Sequence, residues 1–305
     1  MAKILITGGT GLVGTHLSEL LTHKGHKVAL VSRAASKSSY PIYTWNPEEK
    51  LFPIEALEGT DVIIHLAGAG IVDHRWTIAY KEIIYKSRID SANLIFESLK
   101  ANKNSVRTFI SASGVGYYGN TGNVWLDEHQ PPANDFMGRV CKAWEESATQ
   151  FESLNIRVIR MRTGVVLSQD GGALPVLSKS VKLFAGAPIG SGLQYIPWIH
   201  IDDLCKMYLS VIENEEMQGP FNANAPSPID NSFFMTLLGR IFKKPIWPIN
   251  IPSFVLKLIL GEKSVVVLNG QRPSVEKIQS FGFKFSYSDP EVALRNLLIK
   301  EKISI

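Results

Sequence analysis

Residues 3–14 read KILITGGTGLVG, an apolar run that leads directly into glycines at positions 8, 11 and 14. The apolar run predicts a buried strand over Lys3–Thr7, and the spacing of apolar residues after it predicts a helix over Leu12–Lys24 that ends at Gly25. In a strand–glycine–helix unit of this kind the first glycine permits a sharp turn. The second permits a close approach to the backbone, and the third permits close packing of helix on strand.

Short apolar runs alternate with longer amphipathic stretches through most of the remaining chain. The further predicted strands are Lys27–Ser32, Asp61–Leu66, Val106–Ser111, Ile156–Met161 and Pro197–Ile201. The further predicted helices of this part are Trp76–Leu99, Phe136–Leu154 and Asp202–Ile212. Apolar strands that alternate with helices predict an α/β fold whose parallel sheet is covered on both faces.

Prolines punctuate the chain from Asn222 onward and change its character. Short predicted helices lie between them, at about 230–242, 253–260, 274–280 and 290–300. Such a tail cannot extend a parallel sheet and predicts a small, mainly helical lid lobe. We therefore expect a Rossmann-type doubly wound sheet in residues 1–224, with 166–196 contributing to the substrate side, and a lid domain in 225–305.

The bulk composition is that of an ordinary globular protein. Of the 305 residues 45% are hydrophobic and 20% charged, and the net charge of +4 is not gathered into a basic block. We expect a cytoplasmic protein that binds a small molecule rather than nucleic acid or a membrane, with the oligomeric state open between monomer and homodimer. The two cysteines, Cys141 and Cys205, lack metal-ligand spacing and are expected to be buried thiols.

The glycine turn predicts a dinucleotide site, because a helix N-terminus offers N–H groups and partial positive charge to a pyrophosphate. The predicted contacts of the turn are Gly8, Thr10, Gly11, Leu12, Val13 and Gly14. The alternative is a glycine-rich turn that holds no ligand.

The end of the second predicted strand indicates which dinucleotide is bound. An acid there would bind the ribose 2′-hydroxyl of NAD, but Ser32 and Arg33 occupy these positions. Arg33 can pair with a 2′-phosphate and Ser32 can donate a hydrogen bond to it, so we expect NADP(H) rather than NAD(H). The alternatives are that Arg33 is a solvated surface residue and that nearby Lys37 supplies the charge.

Several motifs resemble those of the extended short-chain dehydrogenase/reductase superfamily. They are Gly8–Gly14, His65-Leu66-Ala67-Gly68, Ser111-Ala112-Ser113 with Gly116-Tyr117-Tyr118-Gly119, and Trp198-Ile199-His200-Ile201-Asp202-Asp203. A second set resembles the epimerase-family branch that carries a short C-terminal domain of unknown function. This set is Lys142-Ala143-Trp144-Glu145, Arg162-Thr163-Gly164-Val165-Val166-Leu167, Gly190-Ser191-Gly192 with Gln194, and Gly270-Gln271-Arg272 followed by Gly282-Phe283 and Phe285.

The resemblance implies a Rossmann core with a lid lobe and bound NADP(H). It implies that Ser32 and Arg33 hold the adenosine phosphate and that Leu66 and Ala67 line the cofactor. The further contacts that it implies are Gly68, Glu82, Arg88, Ser111 and Arg162. An exposed helix arginine is the alternative interpretation of Arg88.

The superfamily resembled here uses a serine together with a Tyr-x-x-x-Lys pair. Ser113 matches the serine by its distance before Tyr117, although a strand-end serine that only caps a loop is the alternative. Phe136 and Val140 stand where the tyrosine and lysine are expected, and no tyrosine of the chain is followed by a lysine four positions later. The usual proton relay therefore cannot be built from this helix.

Three functions remain open on the sequence. In the first, an oxidoreductase uses Ser113 to polarise a carbonyl by a donated hydrogen bond and Tyr117 as the proton donor, with Tyr118, Lys142 and His200 as other nearby candidates. In the second, the protein binds NADP(H) as a sensor or scaffold without turnover. In the third, it is a nucleotide-sugar epimerase or dehydratase.

The predicted substrate contacts lie where the carboxyl edge of the sheet is expected to meet the lid. They are Gln194, Trp198, His200 and Arg272. A core tryptophan and a strand-end histidine are the alternative interpretations of Trp198 and His200. Asp202 and Asp203 are expected to cap the following helix rather than to form a catalytic pair.

Overall fold

The computed structural model describes residues 1–35 and 37–299. Its strands are β1 (Lys3–Thr7), β2 (Lys27–Ser32), β3 (Ile42–Thr44), β4 (Val62–His65), β5 (Thr108–Gly114), β6 (Trp125–Leu126), β7 (Arg157–Thr163), β8 (Val165–Leu167), β9 (Tyr195–Ile196), β10 (Trp198–His200), β11 (Gly219–Ala223), β12 (Ile229–Asp230) and β13 (Arg272–Pro273). Its helices are α1 (Leu12–His23), α2 (Ile78–Ala101), α3 (Phe136–Thr149), α4 (Ala173–Lys182), α5 (Ile201–Glu213), α6 (Asn231–Phe242), α7 (Ser253–Leu260), α8 (Val265–Leu268), α9 (Glu276–Ser280) and α10 (Pro290–Leu298).

Seven strands form the main sheet of the described residues, in the order β11-β7-β5-β4-β1-β2-β3. The pairs β1–β2, β2–β3, β1–β4 and β4–β5 are parallel, with Thr7 opposite His65 and His65 opposite Ser111. The strand order reverses between β1 and β4, and a crevice opens at the carboxyl ends of the strands on either side of such a switch point. The predicted Rossmann-type parallel sheet is confirmed.

The central strands are apolar because they are buried on both faces. Ile4, Leu5 and Ile6 of β1 and Ile63 and Ile64 of β4 are fully buried. Uninterrupted apolar runs of this kind are typical of parallel sheets covered by helices. They provide the rigid base from which the strand ends project.

Two long helices owe their start to a capping side chain. The Thr77 hydroxyl accepts a hydrogen bond from the Tyr80 backbone N–H at the start of α2. The Asp135 carboxylate accepts one from Gly138 at 2.7 Å, which begins α3 at Phe136. Helix α3 packs against β5 of the main sheet.

The chain divides into two compact units. The first comprises Met1–Tyr117, Pro132–Arg162 and Cys205–Phe221, and it holds the Rossmann-type strands β1 to β5 with α1, α2 and α3. The second is made of Tyr118–Pro131, Thr163–Leu204 and Asn222–Ile305. Residues 225–299 fall in the second unit, and this part of the unit is mainly helical. A domain boundary near residue 224 stays a prediction.

Within the second unit the strands are short and pair in twos. They pair as β10 with β8, β12 with β9 and β13 with β6. The expected cap at Asp202 and Asp203 needs correction, since α5 already begins at Ile201. The buried Asp203 carboxylate instead accepts hydrogen bonds from the backbone N–H groups of Ser286 (3.0 Å) and Tyr287 (2.8 Å) and so anchors the C-terminal segment of this unit.

A search of the described helices for a membrane span found none with the required length and apolarity.

Candidate cofactor and catalytic site

The glycine turn between β1 and α1 is shaped by close backbone contacts. Gly8 has a positive φ of 70°, and a Cβ on Gly14 would come within 2.5 Å of the Gly8 carbonyl oxygen. A Cβ on Gly11 would meet only that same oxygen, at 3.3 Å. Gly11 is the N-cap of α1 and has no side chain that could cap the helix. The first N–H groups of the helix can therefore donate hydrogen bonds to an anionic ligand.

A cleft of about 810 Å³ opens beside this turn in the first unit. The predicted cofactor contacts that line it are Gly8, Thr10, Gly11, Ser32, Arg33, Leu66, Ala67, Gly68 and Glu82. The segment Trp45–Glu48, which follows β3, forms another part of the wall and was missed by the sequence prediction. Leu12, Val13 and Gly14 are not among the lining residues and form the first turn of α1, whose backbone N–H groups follow the glycine turn.

The polar side chains of the cleft wall differ in their position and in their ionic partners. Ser32 ends β2 and Arg33 follows it on the exposed rim. Glu82 pairs with Lys86 at 2.6 Å on the exposed surface of α2, and the hydrogen bond from Lys86 lowers the pKa of Glu82. Arg33 is therefore the cation of this wall that stands where a 2′-phosphate is expected.

His65 ties the ends of two strands together beneath the cleft. Its Nδ1 lies 2.7 Å from the Thr7 hydroxyl on β1, and its Nε2 lies 3.1 Å from the Ser91 hydroxyl on α2. Burial lowers the pKa of His65 to about 4, so the ring is neutral near pH 7. A neutral, fully hydrogen-bonded histidine holds the Leu66–Ala67 loop firmly to β1.

Arg88 on α2 is a buried cation whose side chain is incompletely bonded. The residue is 5% exposed, and burial lowers the pKa of the guanidinium. Its Cζ lies 4.8 Å from the Trp144 ring centroid, and Nη1 donates to the Ile84 carbonyl at 2.9 Å. Nε has no hydrogen-bond partner among the described residues. The residues that line the cleft include Ser87 and Ser91 but not Arg88, so its contact with a cofactor stays a prediction.

In the first unit, side chains from four elements form a largely buried polar network, which we call the Ser113 cluster. It consists of Ser113 on β5, Tyr117 in the following 3-10 turn, Glu145 on α3 and Arg162 on β7. The Ser113 hydroxyl donates to Glu145 Oε1 at 2.7 Å. Arg162 donates to both carboxylate oxygens, from Nε at 2.8 Å and from Nη2 at 2.9 Å.

Tyr117 joins this cluster through its aromatic ring. The Arg162 Cζ lies 3.6 Å from the ring centroid, a close cation–π contact. Burial raises the pKa of Tyr117, and the nearby Arg162 charge opposes that increase. The phenol therefore keeps its proton near neutral pH, as a proton donor must.

The expected role of Ser113 as a donor to a carbonyl needs correction. A serine hydroxyl has one proton to donate, and here that proton is directed at Glu145. The oxygen of Ser113 therefore offers lone pairs to a ligand rather than a hydrogen.

Glu145 lies in one of the sequence motifs, but the motif alone assigned it no role. One signal could have identified it: helical spacing places Glu145 on the buried face of α3 with Cys141, Trp144 and Ala148. A glutamate on such a face requires a positively charged partner. The Cys141 thiol on the same face is inert, since burial raises its pKa to about 12.

Phe136 and Val140, which are predicted to stand at the positions of the usual tyrosine and lysine, pack in the interior of the first unit. The Phe136 ring lies 4.9 Å from the Trp76 ring, and Val140 is 1% exposed. Among the other candidate proton donors, Lys142 forms an exposed pair with Glu146 at 3.6 Å. Tyr118 belongs to the second unit and donates to Asn222 at 2.6 Å.

Ser111, a predicted cofactor contact, is fully buried on β5, where its hydroxyl donates to the Ala112 carbonyl.

The predicted substrate contacts lie in the second unit, and two of them are buried there with hydrogen-bond partners. Trp198 is fully buried and donates to the Ser227 carbonyl at 2.9 Å. The His200 ring is also buried, stacks on Tyr287 at 3.8 Å and lies 3.1 Å from the Asn296 side-chain oxygen. Both therefore belong to the packed interior of this unit, which corrects their prediction as substrate contacts.

The other two predicted substrate contacts differ in exposure. The buried Gln194 amide donates to the carbonyl of Ile189 at 3.0 Å. Arg272 is partly exposed, and its guanidinium lies between the rings of Trp125 (4.2 Å) and Tyr195 (4.5 Å).

The sheet order, the glycine turn and the adjoining cleft define a Rossmann-type protein of the class that binds dinucleotides. The model of the NAD dependent epimerase/dehydratase family matches residues 4–223, and that of DUF1731, a domain of unknown function, matches residues 251–297. The chain therefore belongs to the NAD dependent epimerase/dehydratase family. This confirms the resemblance predicted from the motifs, and with it a fold that binds a nicotinamide dinucleotide.

Similar proteins span the whole length of the chain. Epimerase family protein YfhF of Bacillus subtilis (strain 168) is 35% identical over 303 residues, covering 98% of this chain and 99% of that protein. The crystal structure of human epimerase family protein SDR39U1 (isoform 2) with NADPH has a TM-score of 0.86 at 28% identity and covers 97% of this chain and 98% of that one. A nucleoside-diphosphate sugar epimerase from Corynebacterium glutamicum has a TM-score of 0.79 at 30% identity, with 97% of this chain but 58% of that one covered.

Proposed function

We propose that this protein is an NADP(H)-dependent oxidoreductase that interconverts a carbonyl and a hydroxyl group of a small molecule without a Tyr-x-x-x-Lys pair. The observation that carries the proposal is the Arg162 guanidinium, 3.6 Å from the Tyr117 ring and in the same buried cluster as Ser113. Arg162 places a positive charge next to the phenol, where it opposes the increase in the pKa of Tyr117 that burial causes.

The choice of NADP(H) rests on the end of β2. Ser32 and Arg33 line the cleft there, in the place where an acid would favour NAD. The similar human protein was crystallised with NADPH, which supports the same preference here. When bound, the cofactor supplies or accepts the hydride.

The Ser113 cluster is well placed to supply the proton. Ser111 is opposite His65 in the sheet, so Ser113, two residues further, lies beside the loop that carries Ala67. During reduction the Tyr117 O–H bond breaks and its proton passes to the carbonyl oxygen, which becomes the hydroxyl of the product. The phenolate that remains is stabilised by Arg162.

The test is a screen of aldehydes, ketones, quinones and nucleotide sugars with NADPH oxidation as the readout. Tyr117→Phe should lower kcat by about 10²- to 10⁴-fold, the usual contribution of a positioned proton donor. Tyr118→Phe is the matched control, because it removes the neighbouring phenol, which bonds to Asn222 instead. Full activity in Tyr117→Phe would show that the proton comes from elsewhere. No turnover on any substrate would favour a binding-only sensor or scaffold.

Nucleotide-sugar epimerisation is the second candidate, favoured by the name of the 30%-identical Corynebacterium protein. An epimerase would convert a nucleotide sugar without net consumption of NADPH, so chromatography of the sugar products distinguishes the two functions. For either one we retain Arg272 as a proposed substrate contact, because it is the partly exposed member of the predicted set. As the composition predicts, we also propose a cytoplasmic location and a small-molecule partner.

A further inference from the structure

The Glu145 carboxylate lies at the centre of the Ser113 cluster and accepts three hydrogen bonds. One comes from the Ser113 hydroxyl and two from the Arg162 guanidinium, all between 2.7 and 2.9 Å. The Glu145 side chain is 6% exposed and that of Arg162 is 3% exposed. Water therefore screens these bonds little, and a bidentate arginine–carboxylate pair holds both partners in one geometry.

The bond to Ser113 decides what the serine can offer a ligand. Its proton points at Glu145, so the two lone pairs of Oγ are what remains for a ligand. A ligand that lies against this oxygen must present a hydrogen-bond donor. A substrate hydroxyl meets that requirement, whereas a ketone or aldehyde oxygen does not.

The pair with Arg162 acts on Tyr117. One side of the guanidinium faces the Glu145 carboxylate, and the Tyr117 ring lies against its face at 3.6 Å. Two cations act on the phenol from β7, namely Arg162 and Arg160, and both lower its pKa. Glu145 on α3 and burial raise it. Removing the carboxylate would leave the Arg162 charge uncompensated beside the ring.

We propose that Glu145 is the positioning residue of this site: it orients Ser113 as a hydrogen-bond acceptor and, by balancing Arg162, holds Tyr117 in its proton-donating form. The proposal depends on the proposed function only for the reaction in which these groups are used. It divides the work between the two hydroxyls: Tyr117 gives its proton to the carbonyl oxygen during reduction, and Ser113 accepts a hydrogen bond from the ligand hydroxyl once that hydroxyl has formed.

The test follows the ionisation of Tyr117 by NMR in protein labelled with carbon-13 at the tyrosine ζ position. Tyr117→Phe assigns the signal. Near pH 10, the ordinary pKa of tyrosine, Glu145→Gln should raise the ratio of phenolate to phenol at Tyr117 about tenfold, as expected when a nearby charge shifts a pKa by about one unit. Glu146→Gln is the matched control, because this neighbour on α3 is exposed and pairs with Lys142. It should leave the ratio unchanged.

Glu145→Asp keeps the charge and should return the ratio most of the way to the wild-type value, which loss of packing alone would not do. An unchanged ratio in folded Glu145→Gln would overturn the proposal. If that variant does not fold, Glu145→Gln combined with Arg162→Gln removes both charges. The proposal expects a ratio no higher than in the wild type, and a higher ratio would overturn it.

This titration uses neither cofactor nor substrate, so its failure can be told apart from failure of the proposed function. A tenfold rise in Glu145→Gln together with an inactive screen would support the network and count against the oxidoreductase assignment. An active enzyme in which Glu145→Gln leaves the phenolate-to-phenol ratio of Tyr117 unchanged would support the oxidoreductase assignment and overturn the proposed role of Glu145.

Discussion

The glycine turn and the Ser113 cluster are neighbouring parts of one unit that use opposite means. The turn offers backbone N–H groups at the start of α1, and it works because no side chain stands at Gly11. The cluster works through ionised side chains that are almost fully enclosed. We therefore expect the turn to be damaged by added atoms and the cluster by removed charges, and each prediction below tests one side of that contrast.

The largest effect is expected where one buried charge loses its partner. Arg162→Leu leaves the Glu145 carboxylate enclosed without its cation, which should lower the free energy of unfolding by about 3–5 kcal/mol. Chemical denaturation measures this. The exposed pair Arg295–Glu291 provides the control, since Arg295→Leu should cost about 1 kcal/mol or less. A similar loss of unfolding free energy in Arg162→Leu and Arg295→Leu would contradict the expected difference between the buried and the exposed pair.

A valine should affect the glycine turn differently at its two positions: at position 14 it should mainly lower stability, and at position 11 it should mainly weaken cofactor binding. Gly14→Val places its Cβ within 2.5 Å of the Gly8 carbonyl oxygen and should cost about 3 kcal/mol or more through overpacking. Gly11→Val meets that oxygen only at 3.3 Å and should cost about 1 kcal/mol at the N-cap. It should nevertheless weaken NADPH binding about 100-fold, because its side chain occupies the place of the pyrophosphate. Normal NADPH affinity in folded Gly11→Val would show that the turn is not the site.

His65 makes the stability of the region around the glycine turn depend on pH. Its pKa is about 4 in the folded protein and 6.5 ordinarily, so the unfolded chain binds the extra proton first. The contribution to stability is complete above pH 6.5 and is lost as the pH falls toward 4. We expect a loss of about 2–3 kcal/mol between pH 7 and 4.5. Chemical denaturation of the wild type and of His65→Gln at pH 7 and pH 4.5 isolates the contribution of His65 to the free energy of unfolding. An equal loss of unfolding free energy in the two proteins would contradict the prediction.

The same contrast explains how far the sequence could predict the molecule. The strand–glycine–helix unit was predictable because the backbone itself demands glycine at Gly8 and Gly14. The pair Glu145–Arg162 could not be predicted from the sequence. It depends on which faces of α3 and β7 meet, and local sequence patterns do not determine this. The short strand β3 was missed for a related reason: its three residues pair with the end of β2, and that pairing, not local propensity, defines it.

The smallest effect on binding is expected at the exposed rim of the cleft. There the side chain of Arg33 is proposed to bind the cofactor, and water screens its charge. Arg33 follows β2 and can pair with a 2′-phosphate that NADH lacks. Arg33→Ala should weaken NADPH binding about tenfold, the scale of one charge-assisted hydrogen bond, and should leave NADH affinity unchanged. Added salt should narrow the difference between the two cofactors in the wild type, because an exposed charge pair is screened. Fluorescence titration with both cofactors measures this, and Lys37→Ala is the control that separates the two nearby cations. If Lys37→Ala rather than Arg33→Ala narrows the preference, the recognition of the phosphate belongs to the loop after Arg33. Equal affinity of the wild type for NADPH and NADH would remove the NADP(H) preference altogether, while leaving the glycine turn and the Ser113 cluster as they stand.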